Sequence, residues 1–214
     1  AEFDEDRDAV VARARAAGVG TIVVPAIERA NFGTVAAICR EYAGCRPAYG
    51  IHPLFCARAR DEDLDALDLM LTREHESAVA IGEIGLDFYV PGHDRERQEF
   101  FFVEQLKIAR RRDLPVLLHV RKAVDAVLKQ LRRIRVCGGI AHAFNGSRQQ
   151  ADEFAKLGFK VGFGGAMTHL RATHLRTLAA SLPAELIVLE TDAPDIAPAW
   201  LPSASRNEPG ELAR

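Results

Sequence analysis

Five polar side chains stand where apolar stretches of the chain end, and their types suit metal chemistry. They are two carboxylates and three imidazoles from distant segments: His52, Glu83, His119, His142 and Asp192. Imidazole nitrogen and carboxylate oxygen together make a ligand set for a divalent metal that keeps open coordination positions. The sequence therefore predicts a metal centre assembled from several segments.

Each of these residues, taken alone, also has a plainer interpretation. A histidine that closes an apolar strand is more often a hydrogen-bonded core residue than a ligand. Glu83 could merely cap a turn, and Asp192 could start a loop before Ala193-Pro194. A common site is favoured because every polar strand terminus is His, Glu or Asp. The other histidines lack this placement: His75, His93, His169 and His174.

Short apolar segments alternate with amphipathic segments along the chain. The apolar segments predict seven strands, at 21–25, 46–51, 78–81, 114–119, 138–142, 159–163 and 186–190. The amphipathic segments predict helices, at 4–17, 31–42, 61–72, 94–112, 122–131, 147–158 and 170–180. Asp94 is a candidate N-cap, Ser147 and Gln150 resemble a capping box, and Gly158 is the expected helix-terminating glycine.

Regular alternation of strand and helix predicts a parallel sheet covered by helices. A doubly wound sheet usually opens with a glycine-rich turn, and none is present here. We therefore predict a TIM-type (β/α)₈ barrel that contributes seven of its eight strands, with residues 1–214 as a single domain. The carboxyl ends of barrel strands share one face, where active sites are built.

Composition excludes two broad classes of protein. The chain is 48% hydrophobic with a formal net charge of -2, whereas disordered chains combine low hydrophobicity with high net charge. No apolar stretch reaches the 18 or so residues of a membrane span, and the acidic first residues do not resemble a signal peptide. The four cysteines form no metal-binding or disulfide pattern. These features predict a cytoplasmic protein, and nothing indicates an obligate protein partner.

Five motifs carry a resemblance to a known family over nearly the whole chain. They are Gly50-Ile-His-Pro53, Gly82-Glu-Ile-Gly-Leu-Asp87, Leu118-His-Val-Arg121, Ala141-His-Ala-Phe-Asn-Gly-Ser147 and Glu190-Thr-Asp-Ala-Pro194. In this order and spacing they resemble the TatD family of metal-dependent hydrolases, in the amidohydrolase superfamily. The resemblance implies a TIM-type barrel with one or two divalent metals and, as for some members, deoxyribonuclease activity on DNA or another phosphodiester.

The resemblance also implies a role for each candidate residue. Glu83 would bridge two metals, and His119 and His142 would ligate the second of them. Asp192 would ligate the first metal and position the attacking water. His52 and Arg121 would lie nearby, where a substrate phosphate could be held.

One departure from the family pattern concerns the first metal. The family begins with a strand that ends in His-x-His, and this sequence contains no His-x-His. Its first residues resemble the segment just after that motif, and its last residues resemble a chain that continues into a final helix. We therefore expect a first strand and a final helix to be missing from these 214 residues. Without the two histidines, the first metal keeps only Glu83 and Asp192.

The ligand set predicts hydrolysis by a metal-activated water, with Asp192 accepting a proton. Metal identity stays open, because carboxylates favour Mg²⁺ or Mn²⁺ whereas imidazoles favour Zn²⁺. A phosphodiesterase that acts on DNA is the first interpretation. Hydrolysis of an amide, an ester or another small substrate on the same fold is the second, and a non-catalytic relative is the third. Phe144 could stack on a base, although a core or loop position is the better prediction.

Overall fold

Strand and helix alternate along the chain as the apolar pattern predicts. The computed structural model describes residues 2–214. Within them, the helices are α1 (Arg7–Ala16), α2 (Phe32–Glu41), α3 (Glu62–Arg73), α4 (Arg95–Arg112), α5 (Val124–Arg133), α6 (Arg148–Lys156) and α7 (Thr173–Ser181). The strands are β1 (Ile22–Pro25), β2 (Cys45–Tyr49), β3 (Ala80–Asp87), β4 (Val116–Arg121), β5 (Gly139–Ala141), β6 (Phe159–Phe163) and β7 (Ile187–Leu189).

The strands form one parallel sheet in which each strand pairs with the next one along the chain, from β1 to β7. A doubly wound sheet reverses its strand order part-way, and no reversal occurs here. Sequential pairing with intervening helices is the arrangement of a TIM-type barrel, so this prediction is confirmed. All carboxyl ends of the strands therefore lie at the same end of the sheet.

Two strands continue past their predicted ends, and both carry site residues. The strand predicted at 78–81 continues as β3 to Asp87, so Glu83 lies inside a strand rather than after it. His119 likewise lies inside β4, which continues to Arg121. The strand predicted at 78–81 stops just before Gly82, and glycine normally weakens a strand. Here the neighbouring strand passes so close that a Cβ at Gly82 would overlap the side chain of Leu117.

The predicted helix boundaries and caps are largely confirmed. The Asp94 side chain accepts hydrogen bonds from the backbone N–H groups of Glu96 and Arg97. Ser147 and Gln150 form the capping box that opens α6. Gly158 has a φ of +84°, a conformation that glycine adopts without strain. Helix α4 therefore begins, and helix α6 begins and ends, where the local sequence favours it.

The core lies between the sheet and the helices. Phe101, Phe102 and Leu106 of α4 are fully buried in it. Phe144 is also a core residue, since it is 2% exposed and packs edge-on against Phe154 at 5.7 Å between ring centroids. The buried ring is not available to stack on a base. All four cysteines are free thiols, as their spacing predicts.

Within residues 2–214, no helix combines the length and the apolar character that a bilayer crossing requires.

Two glycines are expected to respond in opposite directions to substitution by alanine. Gly85 has a φ of +144°, and an added Cβ would overlap the carbonyl oxygen of His119. Gly85→Ala should therefore lower the free energy of unfolding by about 3 kcal/mol or more, from backbone strain and overpacking. Gly33 lies in α2 with open space around it, so Gly33→Ala should raise stability by up to about 1 kcal/mol.

Urea unfolding of the two variants and the unmodified protein measures both effects. Gly33→Ala is the matched control, because it adds the same methyl group to a glycine in an open position. Equal unfolding midpoints for the two variants would contradict the close approach of β3 and β4 at Gly85.

Candidate metal centre

Glu83 is the residue on which the candidate site converges. Its Oε1 atom lies 3.0 Å from Nδ1 of His119 and 3.5 Å from Nε2 of His52, and it is also in contact with Nε2 of His142. The Glu83 side chain is only 12% exposed. Strands β2 to β5 thus bring one carboxylate and three imidazoles together, although 90 residues separate His52 from His142 along the chain.

Asp87 orients the His119 ring. The Oδ2 atom of this buried carboxylate lies 3.0 Å from Nε2 of His119. Both ring nitrogens of His119 therefore face carboxylate oxygens at 3.0 Å, and each carboxylate can only accept. With a cation bound beside Glu83, Nε2–H would donate to Asp87 and the lone pair of Nδ1 would face the cation. Burial on its own would raise the pKa of Asp87, but the N–H groups of Val90 and Tyr89 and the His119 ring lower it. This carboxylate–histidine arrangement is typical of metal ligands.

His52 directs an N–H group, rather than a lone pair, toward the site. The backbone N–H of Leu54 donates to Nδ1 of His52 at 3.2 Å, so the proton of a neutral His52 is on Nε2. This Nε2 lies 3.1 Å from Nδ1 of His119. Ligand atoms of His52, Glu83 and His119 lie within 4.8 Å of one another. The tautomer nevertheless makes His52 a hydrogen-bond donor toward the site, which favours its predicted contact with substrate over metal ligation.

Glu83 and His142 form a buried ion pair. Burial opposes the charge on His142, but Glu83 outweighs it and raises the pKa of His142 to about 10. Burial also opposes the charge on Glu83, yet His142, His119 and His52 hold the pKa of Glu83 well below its usual range. Positive charge is therefore strongly stabilised at this point of the site.

Two further carboxylates follow β7 and face the same cluster. Oδ1 of Asp192 and Oε1 of Glu190 each lie 3.8 Å from Nδ1 of His142. Burial raises the pKa of Glu190 to about 6, and Asp192 and Glu83 contribute to the increase. The pKa of Asp192 is raised by burial and by Glu83. The site thus holds more negative charge than its own residues neutralise.

The loop that carries Asp192 is fastened by Asn207. This fully buried amide donates to the carbonyl oxygens of Thr191 at 2.6 Å, Asp195 at 3.0 Å and Ile196 at 3.2 Å. Asp192 has a φ of +56°, a conformation that aspartate adopts more readily than most residues. The loop geometry around Asp192 therefore depends on a side chain 15 residues further along the chain.

Two buried glutamines of α4 hold the backbone of two strands beside the site. Gln105 accepts from the N–H of Ile51 at 2.7 Å and donates to its carbonyl at 3.1 Å. Gln98 does the same for Asp87, at 2.8 Å and 3.1 Å. Ile51 precedes His52, and Asp87 orients His119. Helix α4 therefore positions both histidines through their neighbours.

The predicted residues are brought together, with one of them at the rim. Glu83, His119, His142, Asp192 and His52 form the cluster, and Arg121 ends β4 two residues after His119 with its side chain exposed. Sequence reasoning assigned no role to Asp87, Glu190, Gln98, Gln105 or Asn207. Asp87 and Glu190 could have been found from the sequence, because each lies in one of the five motifs.

Comparison with known proteins places this geometry in a family. The family model for TatD related DNase matches residues 1–214. The chain belongs to the TatD family. It is 43% identical over 195 residues to the uncharacterized metal-dependent hydrolase YjjV of Escherichia coli K12, a match that covers 91% of this chain and 75% of YjjV. The crystal structure of YjjV superposes with a TM-score of 0.94 at 41% identity, over 99% of this chain and 82% of that one.

A second TatD relative has a more specific name. The 3'-5' ssDNA/RNA exonuclease TatD of Cronobacter turicensis is 37% identical over 214 residues, which cover 97% of this chain and 81% of that protein. Membership of the TatD family was predicted from the five motifs and the barrel architecture from the alternation of strands and helices, and both predictions are confirmed.

The residues present suit a divalent cation. Four carboxylates surround three imidazoles here, and two of those carboxylates have raised pKa values because they are buried near other acids. A cation would relieve this repulsion, and Nδ1 of His119 and Oε1 of Glu83, which are 3.0 Å apart, would both be within reach of it. The donor set therefore fits the metal that the sequence predicts.

Proposed function

We propose that the chain is a metal-dependent phosphodiesterase that acts on DNA or a similar nucleic acid, with residues 1–214 as one domain. The observation that carries this proposal is the buried Glu83 carboxylate, which three imidazoles surround at the carboxyl ends of the strands. The name of the Cronobacter relative, a single-stranded DNA and RNA exonuclease, supports the substrate class.

Glu83 is the ligand that two metals would share. His119 and His142 would complete the second site, and Asp192 would complete the first. A bound divalent cation lowers the pKa of a coordinated water toward neutrality and polarises a phosphoryl oxygen. The mixture of oxygen and nitrogen donors favours Mn²⁺, Mg²⁺ or Zn²⁺ over softer ions.

The chain itself supplies proton transfer and substrate contacts. Asp192 is partly exposed and lies across from Glu83, so it can accept the proton of the attacking water. His52 presents Nε2–H toward the site and can donate it to a phosphoryl oxygen. Arg121 at the rim offers a planar fork of N–H donors that matches phosphate geometry.

Metal removal is the direct test of this function. After dialysis against a chelator, the protein should lose all hydrolysis of a single-stranded oligodeoxynucleotide, and adding Mn²⁺, Mg²⁺ or Zn²⁺ back should restore it. The measurement is release of labelled nucleotides, resolved on a denaturing gel for each metal in turn. Circular dichroism before and after dialysis checks that the metal-free protein stays folded.

Three outcomes would contradict the proposal. Hydrolysis that persists in excess chelator excludes a metal-activated water. Metal-dependent cleavage of ester or amide substrates, with intact oligonucleotide, would point to a small-substrate hydrolase of the same fold. Tight metal binding without turnover of any substrate would point to a non-catalytic member of the family.

A further inference from the structure

An exposed aromatic ring lies beside the candidate site with an arginine on its face. Tyr89 is 57% exposed, and the guanidinium carbon of Arg121 lies 3.9 Å from the centroid of its ring. Much of the ring is therefore accessible to a ligand. Tyr89 and Arg121 together are called the rim pair below.

The rim pair is tied to the metal-facing residues by a single carboxylate. Oδ1 of Asp87 accepts the N–H of Tyr89 at 2.8 Å, while Oδ2 of the same carboxylate lies 3.0 Å from Nε2 of His119. Arg121 is two residues beyond His119 on β4, and alternation along a strand puts both side chains on one face. The rim pair is therefore adjacent to the site and held in register with it.

The guanidinium of Arg121 is free to bind an anion. Among residues 2–214, no carboxylate lies within ion-pair distance of Arg121, and its N–H groups donate to no other side chain or carbonyl there. Most other arginines near an aromatic ring differ in this respect, since Arg97 pairs with Asp61 and Arg58 with Glu28. Arg121 can thus keep its flat face on Tyr89 while its edge donates to a phosphate.

An aromatic ring next to an arginine that can bind phosphate corresponds to the base and the phosphate of one nucleotide. Stacking of a base on an aromatic side chain contributes about 1–3 kcal/mol and tolerates any base. We propose that the face of Tyr89 opposite Arg121 stacks the nucleobase of a nucleotide adjacent to the scissile phosphate, while Arg121 binds a phosphate of the same strand. This inference rests on the proposed phosphodiesterase function and adds a base-binding subsite to it.

The test compares Tyr89→Ala with Tyr89→Phe on two oligonucleotides of equal length. One carries normal bases, and the other consists of tetrahydrofuran abasic residues. Tyr89→Ala should raise KM for the base-bearing strand roughly tenfold, as expected from the loss of one stacked base. It should lower kcat/KM for the abasic strand much less, because that strand loses only the ring that packs on Arg121. Tyr89→Phe keeps the ring and should stay within about twofold of the unmodified enzyme on both strands.

A matched control comes from a second aromatic residue with an arginine over its ring. Phe100 on α4 is 38% exposed and lies 5.5 Å from the guanidinium carbon of Arg97. Phe100→Ala should not change the preference for the base-bearing strand. An equal loss on both strands in Tyr89→Ala, or no loss on either, would overturn the subsite.

A binding measurement separates this inference from the proposed function. An oligonucleotide that contains 2-aminopurine should lose fluorescence on binding to the metal-free protein and to Tyr89→Phe, but not on binding to Tyr89→Ala. Quenching that depends on Tyr89 without any hydrolysis would support the subsite and overturn the phosphodiesterase function. Hydrolysis with quenching that survives Tyr89→Ala would overturn the subsite alone.

Discussion

Glu83→Gln is expected to reduce metal-dependent hydrolysis by roughly 10³-fold or more. Metal polarisation and water activation are worth several kcal/mol, and each 1.4 kcal/mol or so is a factor of ten in rate. The amide keeps the size of the side chain but loses the charge that two metals would share. The measurements are initial rates of oligonucleotide cleavage and Mn²⁺ affinity by isothermal titration.

A second measurement on Glu83→Gln follows the effect of Glu83 on the pKa of His142. In the unmodified metal-free protein, the pKa of His142 is about 10, chiefly because Glu83 outweighs the effect of burial. In the variant this pKa should fall, and histidine NMR resonances would show the shift. Glu104→Gln is the matched control, since within the described residues 2–214 Glu104 forms an ion pair only with Lys107 of the same helix. Near-normal rates and affinity in Glu83→Gln would rule out a bridging role.

Asp192→Ala is the second substitution with a large expected effect. Loss of a general base typically costs 10²–10⁴-fold in rate, so we expect a decrease of roughly 10³-fold in kcat. The side chain is 34% exposed and lies in a loop, but alanine is less favourable than aspartate at a φ of +56°, so we expect a modest decrease in the unfolding temperature. Single-turnover cleavage at saturating metal measures the chemical step separately from metal binding.

The neighbouring Asp195 provides the control for Asp192→Ala. Asp195 is exposed in the same loop and has the same carboxylate. Asp195→Ala should therefore keep the normal rate. If DNA degradation persists in Asp192→Ala, the proton acceptor must be another group, and the buried Glu190 would be the next one to test.

Much of the site could be predicted because parallel strands impose a simple rule. His142 and Asp192 were found from their positions after apolar segments, and the carboxyl ends of such strands meet on one face. Glu83 and His119 were found for the same reason, even though their strands extend further than predicted. The rule tolerates errors of a few residues, since the side chains still point toward the same end.

The supporting residues could not be predicted from local pattern. Gln98, Gln105 and Asn207 act on backbone groups far away in the chain, and only the folded structure determines which groups those are. The position of an amide side chain in the sequence does not identify its hydrogen-bond partner. Asp87 lies in the same motif as Glu83, but only the folded structure shows that it contacts His119.

The strand boundaries show where local propensity is overridden. Gly82 and Gly85 weaken β3 on any intrinsic scale, yet the strand continues through both. The register shift between Ile81 and Ile84 brings β4 close to this part of the strand. The absence of a side chain at each glycine is what permits that approach, so residues that are intrinsically unfavourable in a strand allow this one to continue.

The two glutamines of α4 connect this helix to the backbone near the carboxyl ends of two strands. Gln98 and Gln105 are seven residues apart, so they lie on one face of the helix, two turns or about 10.5 Å from each other. The helix thereby couples His52 and His119 to its own docking on the sheet. Heating that detaches α4 would release both histidines at once, so the candidate site and this helix should melt as a single cooperative unit.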